Sequence, residues 1–219
     1  MLKAYHKRNI KMKVQLFVEN AIQTNCWVVI DEETNDAIII DLGGGYKKIF
    51  EYIKNQGANL KYILCTHGHF DHIMGISEMQ RDGIDIPVYV SKDDKYLIPQ
   101  MNKMLEMFGM TNGYPEVKVT EYIDENSKLK LGNKYITIIS TPGHTPGGLC
   151  FKIENLLFSG DSLFCREIGR CDLPGGDYYS LVHSLKDKIA TLPDETLVYP
   201  GHGPATNIKD EKGYNPYLK

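Results

Sequence analysis

Histidine and aspartate occupy four of the six positions from His67 to His72, in the order H-x-H-x-D-H. The chain has seven histidines, and three of them lie in this short segment. The preceding run KYILCT predicts a buried strand that leads directly into the segment. Polar side chains that follow a strand are held by a rigid scaffold, where functional groups concentrate in folded proteins. The segment therefore requires a fold in which a buried strand ends at a cluster of imidazoles.

Three further polar residues follow predicted strands in the second half of the chain. They come after the runs YITII, LLFSG and LVYP. One zinc ion takes three or four protein ligands, so the complete set at strand ends is too large for a single ion and predicts two divalent metal ions. The set comprises His67, His69, Asp71, His72, His144, Asp161 and His202.

The alternation of side chains divides this set between the two ions. Residues two apart in an extended segment point to the same side, and we expect the next two residues to turn toward the other ion. Imidazole and carboxylate ligands without thiolate suit zinc, iron or manganese, and zinc is the expected metal. One ion is predicted to bind His67, His69 and His144, and the other Asp71, His72 and His202, with Asp161 bridging the two.

The hydrophobic pattern predicts an α+β fold. The first half contains the strand-like runs KVQLFVEN, CWVVID, DAIIID, KYILCT and IPVYVS, with a helical pattern in GGGYKKIFEYIKNQG and another in IMGISEMQRDG, after the histidines. The second half contains SKLKLG, KYITIIST, GLCFKI, NLLFSGD and TLVYP as strands and YYSLVHSLKDKIATL as a helix. Two mostly β halves with helices outside predict two packed sheets flanked by helices. We expect one domain over residues 1–219.

Charge and cysteine content exclude several classes of protein. The net charge of -3 predicts no general attraction to nucleic acid or to an anionic membrane. The chain has no apolar run of the roughly 18 to 20 residues that would span a bilayer. The basic N-terminal segment MLKAYHKRNIKMK lacks the apolar region of a signal peptide. Five cysteines without a C-x-x-C pair argue for reduced thiols, so we expect a cytoplasmic protein.

The segment 99–116 has methionines and a phenylalanine at helical spacing, namely Met101, Met104, Met107 and Phe108. The pattern favours an amphipathic helix that packs on the core. An apolar lid beside the site is the alternative, since methionine adapts to ligands of varied shape.

Taken together, these residues resemble the metallo-β-lactamase superfamily. THGHFDH, PGHTPGG, SGDSLF and GHG resemble its metal-binding motifs in the same order, over nearly the whole chain. The resemblance implies a four-layer αββα sandwich with the site at one edge, between the sheets. IIIDLGGG resembles an earlier motif in which an aspartate, here Asp41, supports the metal site without binding the metal.

Within the superfamily, IGRCDLPGGD and the C-terminal GHGPATNIKDEKGYNPYL look like the short, glyoxalase II-like hydrolases. That resemblance implies cleavage of thioesters such as S-lactoylglutathione. Asp161 stands where the best-known β-lactamase subclass has a cysteine, so we expect no antibiotic hydrolysis. Pro204 stands where longer glyoxalase II enzymes have a tyrosine that contacts glutathione.

The predicted ligands suit hydrolysis. Metal coordination lowers the pKa of water to about 7 and supplies hydroxide at neutral pH. We predict that Asp71 also orients this hydroxide for attack on the carbonyl carbon of a small-molecule thioester. In glyoxalase II-like relatives a basic residue near Arg170 contacts a substrate carboxylate; an ion pair with Asp172 is an equally weighted alternative.

Two other functions stay open at this point. Persulfide dioxygenases also resemble this chain and use one iron, whose ligands would correspond to His67, His144 and Asp161. That reading would leave the second set of ligands without a role. A non-catalytic metal-binding module is the third possibility.

Overall fold

The computed structural model describes residues 11–110 and 113–219. Most strands of this part of the chain form two six-stranded sheets. The prediction about the N-terminal segment falls mainly on residues 1–10, which lie outside the described residues. Among the described residues, no helix has both the length and the apolar character that crossing a bilayer requires.

The first sheet has the strand order β1-β2-β3-β4-β5-β6. The first three strands are antiparallel, and β3 to β6 pair in parallel. Parallel neighbours need a crossover connection, and each of the three crossovers here contains a helix. The strands are β1 (Met12–Val18), β2 (Asn25–Asp31), β3 (Asp36–Ile40), β4 (Asn59–Leu64), β5 (Val88–Ser91) and β6 (Glu121–Ile123), and the helices are α1 (Tyr46–Asn55), α2 (Phe70–Arg81) and α3 (Met101–Met107).

The second sheet has the order β14-β13-β10-β9-β8-β7. Its pairs are antiparallel except β10 with β13, so β8, β10 and β13 run in one direction and end at the same edge. Its strands are β7 (Leu129–Leu131), β8 (Lys134–Ser140), β9 (Leu149–Ile153), β10 (Leu156–Gly160), β13 (Leu197–Pro200) and β14 (Thr206–Asn207); β11 (Leu163–Phe164) pairs with β12 (Glu167–Ile168) in a small hairpin, and the helices are α4 (Tyr178–Ser184) and α5 (Ile208–Tyr214).

Strand periodicity sorts the apolar side chains into layers. Successive side chains point to opposite faces of a strand. In β2, Trp27 and Val29 therefore pack between the sheets against Phe151 and Phe158, while Val28 packs under the helices. Each fully buried phenylalanine of this kind contributes about 3–5 kcal/mol to stability, judged by truncation to alanine.

Helices cover the outer face of each sheet. The first sheet lies under α1, α2 and α3, and the second under α4, α5 and the π-helical turn that continues α4. The predicted α+β, four-layer αββα sandwich is therefore confirmed. The five cysteines are free, and burial raises the pKa of Cys26 and Cys150 to about 11, so both are inert core residues.

Three details differ from the sequence prediction. Helix α2 begins at Phe70 rather than after the histidines, so Asp71 and His72 lie in its first turn. Helix α3 packs on the core through Met101, Met104 and Leu105, as expected of an amphipathic helix, but Met107 and Phe108 are exposed rather than part of that face. The pattern also gave no sign of α5 or of the shortest strands, which are too brief to show periodicity.

Candidate metal centre

All seven predicted ligands come together at one edge of the two sheets. His67 and His69 follow β4, and Asp71 and His72 begin α2. His144, Asp161 and His202 follow β8, β10 and β13, whose ends share the same edge. The first sheet and its helix thus supply four of these side chains, and the second sheet supplies three.

The first group of nitrogen atoms is compact. His69 Nδ1 lies 3.0 Å from His67 Nε2 and 2.9 Å from His144 Nε2. Tetrahedral zinc, with Zn–N bonds of about 2.0–2.1 Å, would separate its nitrogen ligands by about 3.3 Å. His67, His69 and His144 therefore fit one metal ion with only a small outward shift.

The second group combines two imidazoles with a carboxylate. Asp71 Oδ2 lies 3.2 Å from His202 Nε2 and 3.4 Å from His72 Nε2. Asp161 lies between the groups, with Oδ2 at 3.5 Å from both His144 Nε2 and His202 Nε2. This position suits a carboxylate that bridges two ions.

Two buried polar atoms in this group make no hydrogen bond, namely His72 Nε2 and Asp161 Oδ1. They lie 3.4 Å apart. Leaving a buried polar atom unsatisfied costs about 1–3 kcal/mol, and a metal ion between the two atoms would remove that cost. The donor set therefore fits a metal at this position.

The electrostatics of the two groups differ. Burial is the main reason that the pKa of His67 lies well below its usual value. It also lowers the pKa of His69, to about 3, so both imidazoles are neutral. Burial also opposes the charged form of His72, but Asp71, Asp41 and Asp161 raise the pKa of His72 well above its usual range. The neutral imidazoles are ready to bind a metal, while the carboxylates around His72 favour a cation.

Asp41 accepts hydrogen bonds from residues of the proposed metal site. Its Oδ2 accepts from His72 Nδ1 at 2.9 Å and from the Thr66 hydroxyl at 2.8 Å. Because the Thr66 proton goes to Asp41, the Thr66 oxygen accepts from His67 Nδ1 at 3.1 Å. These bonds fix the ring orientation and leave both Nε2 atoms facing the site.

His144 is held in the same way by a main-chain group. Its Nδ1 donates to the carbonyl oxygen of Arg170 at 2.7 Å, which leaves Nε2 free to bind a metal. The Arg170 guanidinium forms two bonds to Asp172, at 2.6 and 2.7 Å. The expected ion pair is therefore present, and Arg170 also lines the cleft above the site.

Sequence reasoning missed Asp94, a buried carboxylate beneath the first group. Its Oδ2 accepts from Gly68 N–H at 2.9 Å and from the Thr145 hydroxyl at 2.8 Å, and its Oδ1 accepts from Gly147 N–H at 2.7 Å. Asp94 thus ties the loop of His67 and His69 to the loop of His144. Asp94 follows β5, so the rule that found the other groups, polar residues after strands, could have found it.

Two other contributors hold Asp71. The Thr24 hydroxyl donates to Asp71 Oδ2 at 2.8 Å, and the Asn20 amide donates to the Asp71 carbonyl at 3.1 Å. The segment before β2 therefore positions the second group from outside the predicted motifs. Close packing also matters here, because a Cβ at Gly201 would overlap Asp161 and lie 2.8 Å from His72 Cε1.

A cleft of about 120 Å³, partly open to solvent, lies above the two groups. Apolar side chains line its walls, and the carboxylates and imidazoles form its floor. Apolar walls around a few convergent polar groups are typical of small-molecule sites.

The sequence profile of the metallo-beta-lactamase superfamily matches residues 20–202, which is most of the chain. The chain belongs to the metallo-beta-lactamase superfamily. It is 37% identical over 214 residues to the probable metallo-hydrolase YqgX of Bacillus subtilis, covering 94% of this chain and 98% of that protein. It is 36% identical over 211 residues to the hydroxyacylglutathione hydrolase GloC of Haemophilus influenzae, again covering 94% and 98%.

Solved structures of other superfamily members agree with the fold. The B3 metallo-beta-lactamase BLEG-1 has a TM-score of 0.82 at 33% identity, and TTHA1623 in a di-iron-bound form has a TM-score of 0.83 at 33% identity. Each comparison covers 94% of this chain and 100% of the other chain. The metallo-beta-lactamase fold predicted from the motifs is therefore confirmed.

Proposed function

We propose that the chain is a binuclear metal-dependent hydrolase that cleaves small acyl thioesters, with S-lactoylglutathione as the first substrate to test. The observation that carries the proposal is the buried donor set of five imidazoles and two carboxylates, whose unsatisfied atoms face one another. The likeness to GloC over nearly the full length of both chains supports the substrate class.

The ligands would divide as the sequence predicted. His67, His69 and His144 would hold one ion, and Asp71, His72 and His202 the other, with Asp161 between them. Zinc suits the three-histidine group, although iron and manganese also accept imidazole and carboxylate ligands. A bound divalent ion of this kind lowers the pKa of water to about 7 and polarises a carbonyl oxygen.

The chain's own residues would then orient the reactants. Asp71, fixed through Thr24 and Asn20, presents its carboxylate at the floor of the cleft, where it can accept a hydrogen bond from the attacking water and orient it. Burial opposes the charged form of Asp71, but His72 and His202 lower its pKa below the usual range, so the carboxylate is ionised. Arg170 lies at the cleft wall, where its guanidinium could meet a substrate carboxylate.

A thioester suits this site better than an amide. The thiol that departs has a pKa near 8.5, so it leaves as a thiolate without first receiving a proton. An amide would need a general acid to protonate its nitrogen. Hydrolysis of a thioester requires only a nucleophile and stabilisation of the negative charge that develops on the carbonyl oxygen.

The test is to measure metal content and S-lactoylglutathione hydrolysis in protein purified without chelators. We expect about two zinc ions per chain and a hydrolysis rate that follows the zinc content. Asp71→Asn should lose metal and activity together, while Asp93→Asn, an exposed neighbour of the site, should keep both. Full activity of Asp71→Asn would refute the role of Asp71.

The iron-dependent alternative is tested in the same preparation. The likeness to TTHA1623 in a di-iron-bound form is the observation that keeps iron in consideration. About one iron per chain, with oxygen uptake on adding a persulfide, would favour a dioxygenase that uses His67, His144 and Asp161.

Hydrolysis of a β-lactam should be assayed beside the thioester because of the likeness to BLEG-1. Normal metal content with no turnover of any substrate would favour a non-catalytic module.

A further inference from the structure

A second cavity lies beside the metal cleft, and its walls are mainly apolar. We call it the apolar chamber. Its volume is about 80 Å³, which is too small for a whole ligand but leaves room for an apolar substituent of a molecule held in the cleft. Its apolar lining consists of Leu97, Met104, Met107, Phe108, Leu173 and Pro174.

The chamber adjoins the cleft. His69, Met104, Phe108 and Leu173 line both spaces. His69 is one of the proposed metal ligands, so a molecule whose reacting carbon lies at the metal groups could extend a substituent directly into the chamber. The chamber is therefore part of the same site rather than a separate surface pocket.

The outer rim of the chamber exposes apolar side chains to solvent. Met107 is 65% exposed and Phe108 is 44% exposed, although both belong to α3 or its end. The Phe108 ring also lies 5.3 Å from the ring of Phe70, which anchors it beside the cleft. Flexible methionines next to a fixed aromatic ring can close over apolar groups of different length.

The chamber contains few groups that could bind a charged substituent. Lys103 is the one charged residue among the described residues that line it, beside the polar Tyr96 and Gln100 and the neutral His69. The guanidinium of Arg170, at the neighbouring cleft wall, is already paired with Asp172. A thioester whose only extensions are carboxylates would leave this apolar surface uncovered.

We propose that the apolar chamber binds an apolar substituent of the thioester substrate, so that the enzyme prefers thioesters with an alkyl or aromatic extension. The inference rests on the proposed thioester hydrolase function. The substituent can belong to the acyl side or to the thiol side, because both begin at the same reacting carbon. Met104, Met107 and Phe108 would set the preference.

The experiment uses two substrate series with the zinc-loaded protein. In the first, acetyl, butanoyl, hexanoyl and octanoyl groups are joined to one small neutral thiol, N-acetylcysteamine. In the second, acetyl thioesters are made with ethanethiol, butanethiol and hexanethiol. We expect kcat/KM to rise roughly threefold to fourfold per added methylene in one of the series, until the chamber is full. The series that rises identifies the side, and no rise in either series overturns the proposal.

Variants of the lining residues test whether the chamber causes the dependence of kcat/KM on chain length. Met104→Ser and Met107→Ser should each reduce the increase per methylene, and Met107→Ser is expected to fold normally because Met107 is exposed. Tyr135→Ser is the matched control, since Tyr135 is also 65% exposed but lies on β8, outside the chamber lining. An equal slope in wild type and both methionine variants would contradict the assignment.

A binding measurement separates this inference from the proposed function. Calorimetry with acetate, hexanoate and octanoate needs no turnover. Chain-length-dependent affinity that Met104→Ser diminishes, in a protein that hydrolyses no thioester, would support the chamber and refute the thioesterase. Thioester hydrolysis in which neither kcat/KM nor affinity varies with chain length would support the thioesterase and refute the chamber.

Discussion

At the scale of single residues, Asp94 is the side chain whose role is most open to test. It lies between two loops that carry three proposed ligands and makes one hydrogen bond to each of Gly68, Thr145 and Gly147. Burial raises its pKa, and the same three hydrogen bonds oppose that rise. Its value to the site comes from holding the loops at a fixed separation.

We expect Asp94→Ala to weaken metal binding at the first group by about tenfold or more, the usual effect of losing a partner that orients metal ligands. Three donors would lose their acceptor, so the loops of His69 and His144 would separate. Asp94→Asn keeps an acceptor but turns an amide toward the Gly68 N–H, and it should fall between wild type and alanine. Titration with zinc against a competing chelator measures the affinity of each site.

The matched control for this change is Asp93→Ala. Asp93 is the exposed neighbour of Asp94 and does not contact either loop through its side chain. Zinc affinity equal in Asp94→Ala and Asp93→Ala would show that the loops hold their positions without Asp94.

At the scale of elements, α3 has two faces with different tasks. Met101 and Leu105 are four residues apart and pack on the core, whereas Met107 points to the chamber. We expect Met101→Ala to lower the free energy of unfolding by about 2–4 kcal/mol. Met107→Ala should change it by less than about 0.5 kcal/mol, because an exposed side chain away from packed groups contributes little. Urea unfolding of both variants makes the comparison, and equal losses would contradict the division of the helix.

The start of α2 shows what local sequence could and could not specify. Polar residues after strands predicted the seven side chains that the structure brings together, because strand ends that share an edge bring their loops together whatever the chain distance between them. The same pattern placed Asp71 and His72 in a loop, although they occupy the first turn of α2. Helix entry is decided by packing of Phe70 and Ile73 on the first sheet, which no local pattern encodes. The contacts of Thr24 and Asn20 with Asp71 span about fifty positions and leave no local signal.

Strands β2 and β8 are joined by an ion pair away from the proposed metal ligands. Lys134 Nζ lies 2.9 Å from Asp31 Oδ1, and both side chains are largely buried. Burial acts to raise the pKa of Asp31, but the Lys134 ammonium and the Glu33 N–H outweigh it and lower the pKa below its usual value. A lowered folded-state pKa means that this stabilisation is present above about pH 4 and is lost as the pH falls through the folded-state value.

We therefore expect Lys134→Met to lower the free energy of unfolding by about 1–3 kcal/mol at pH 7. The difference from wild type should shrink toward zero as the pH falls through the lowered folded-state pKa of Asp31, because Asp31 then becomes protonated in both proteins. Urea unfolding of the metal-free proteins at several pH values measures this. Lys212→Met, which removes a more exposed ion pair with Asp194, is the control and should cost less than about 1 kcal/mol at any pH. A pH-independent difference for Lys134→Met would contradict the ionic origin.

At the scale of the whole molecule, the proposed metal ions would join the two halves of the sandwich. His67, His69, Asp71 and His72 belong to the first half, while His144, Asp161 and His202 follow strands of the second sheet. Separation of the sheets would therefore break both sites. A ligand that binds only the folded chain stabilises it by about 4 kcal/mol when present at a thousand times its dissociation constant.

Removal of metal should consequently lower the melting temperature by about 8–16 °C, given roughly 2–4 °C per kcal/mol for a chain of this length. Calorimetry before and after dialysis against a chelator, with metal content measured in each sample, makes the test. Added zinc should restore the original melting temperature.

His202→Ala should show a smaller shift on chelation, because it has lost one ligand of the second group while keeping the first intact. An unchanged melting temperature in protein proven free of metal would show that the two sheets associate without help from the site.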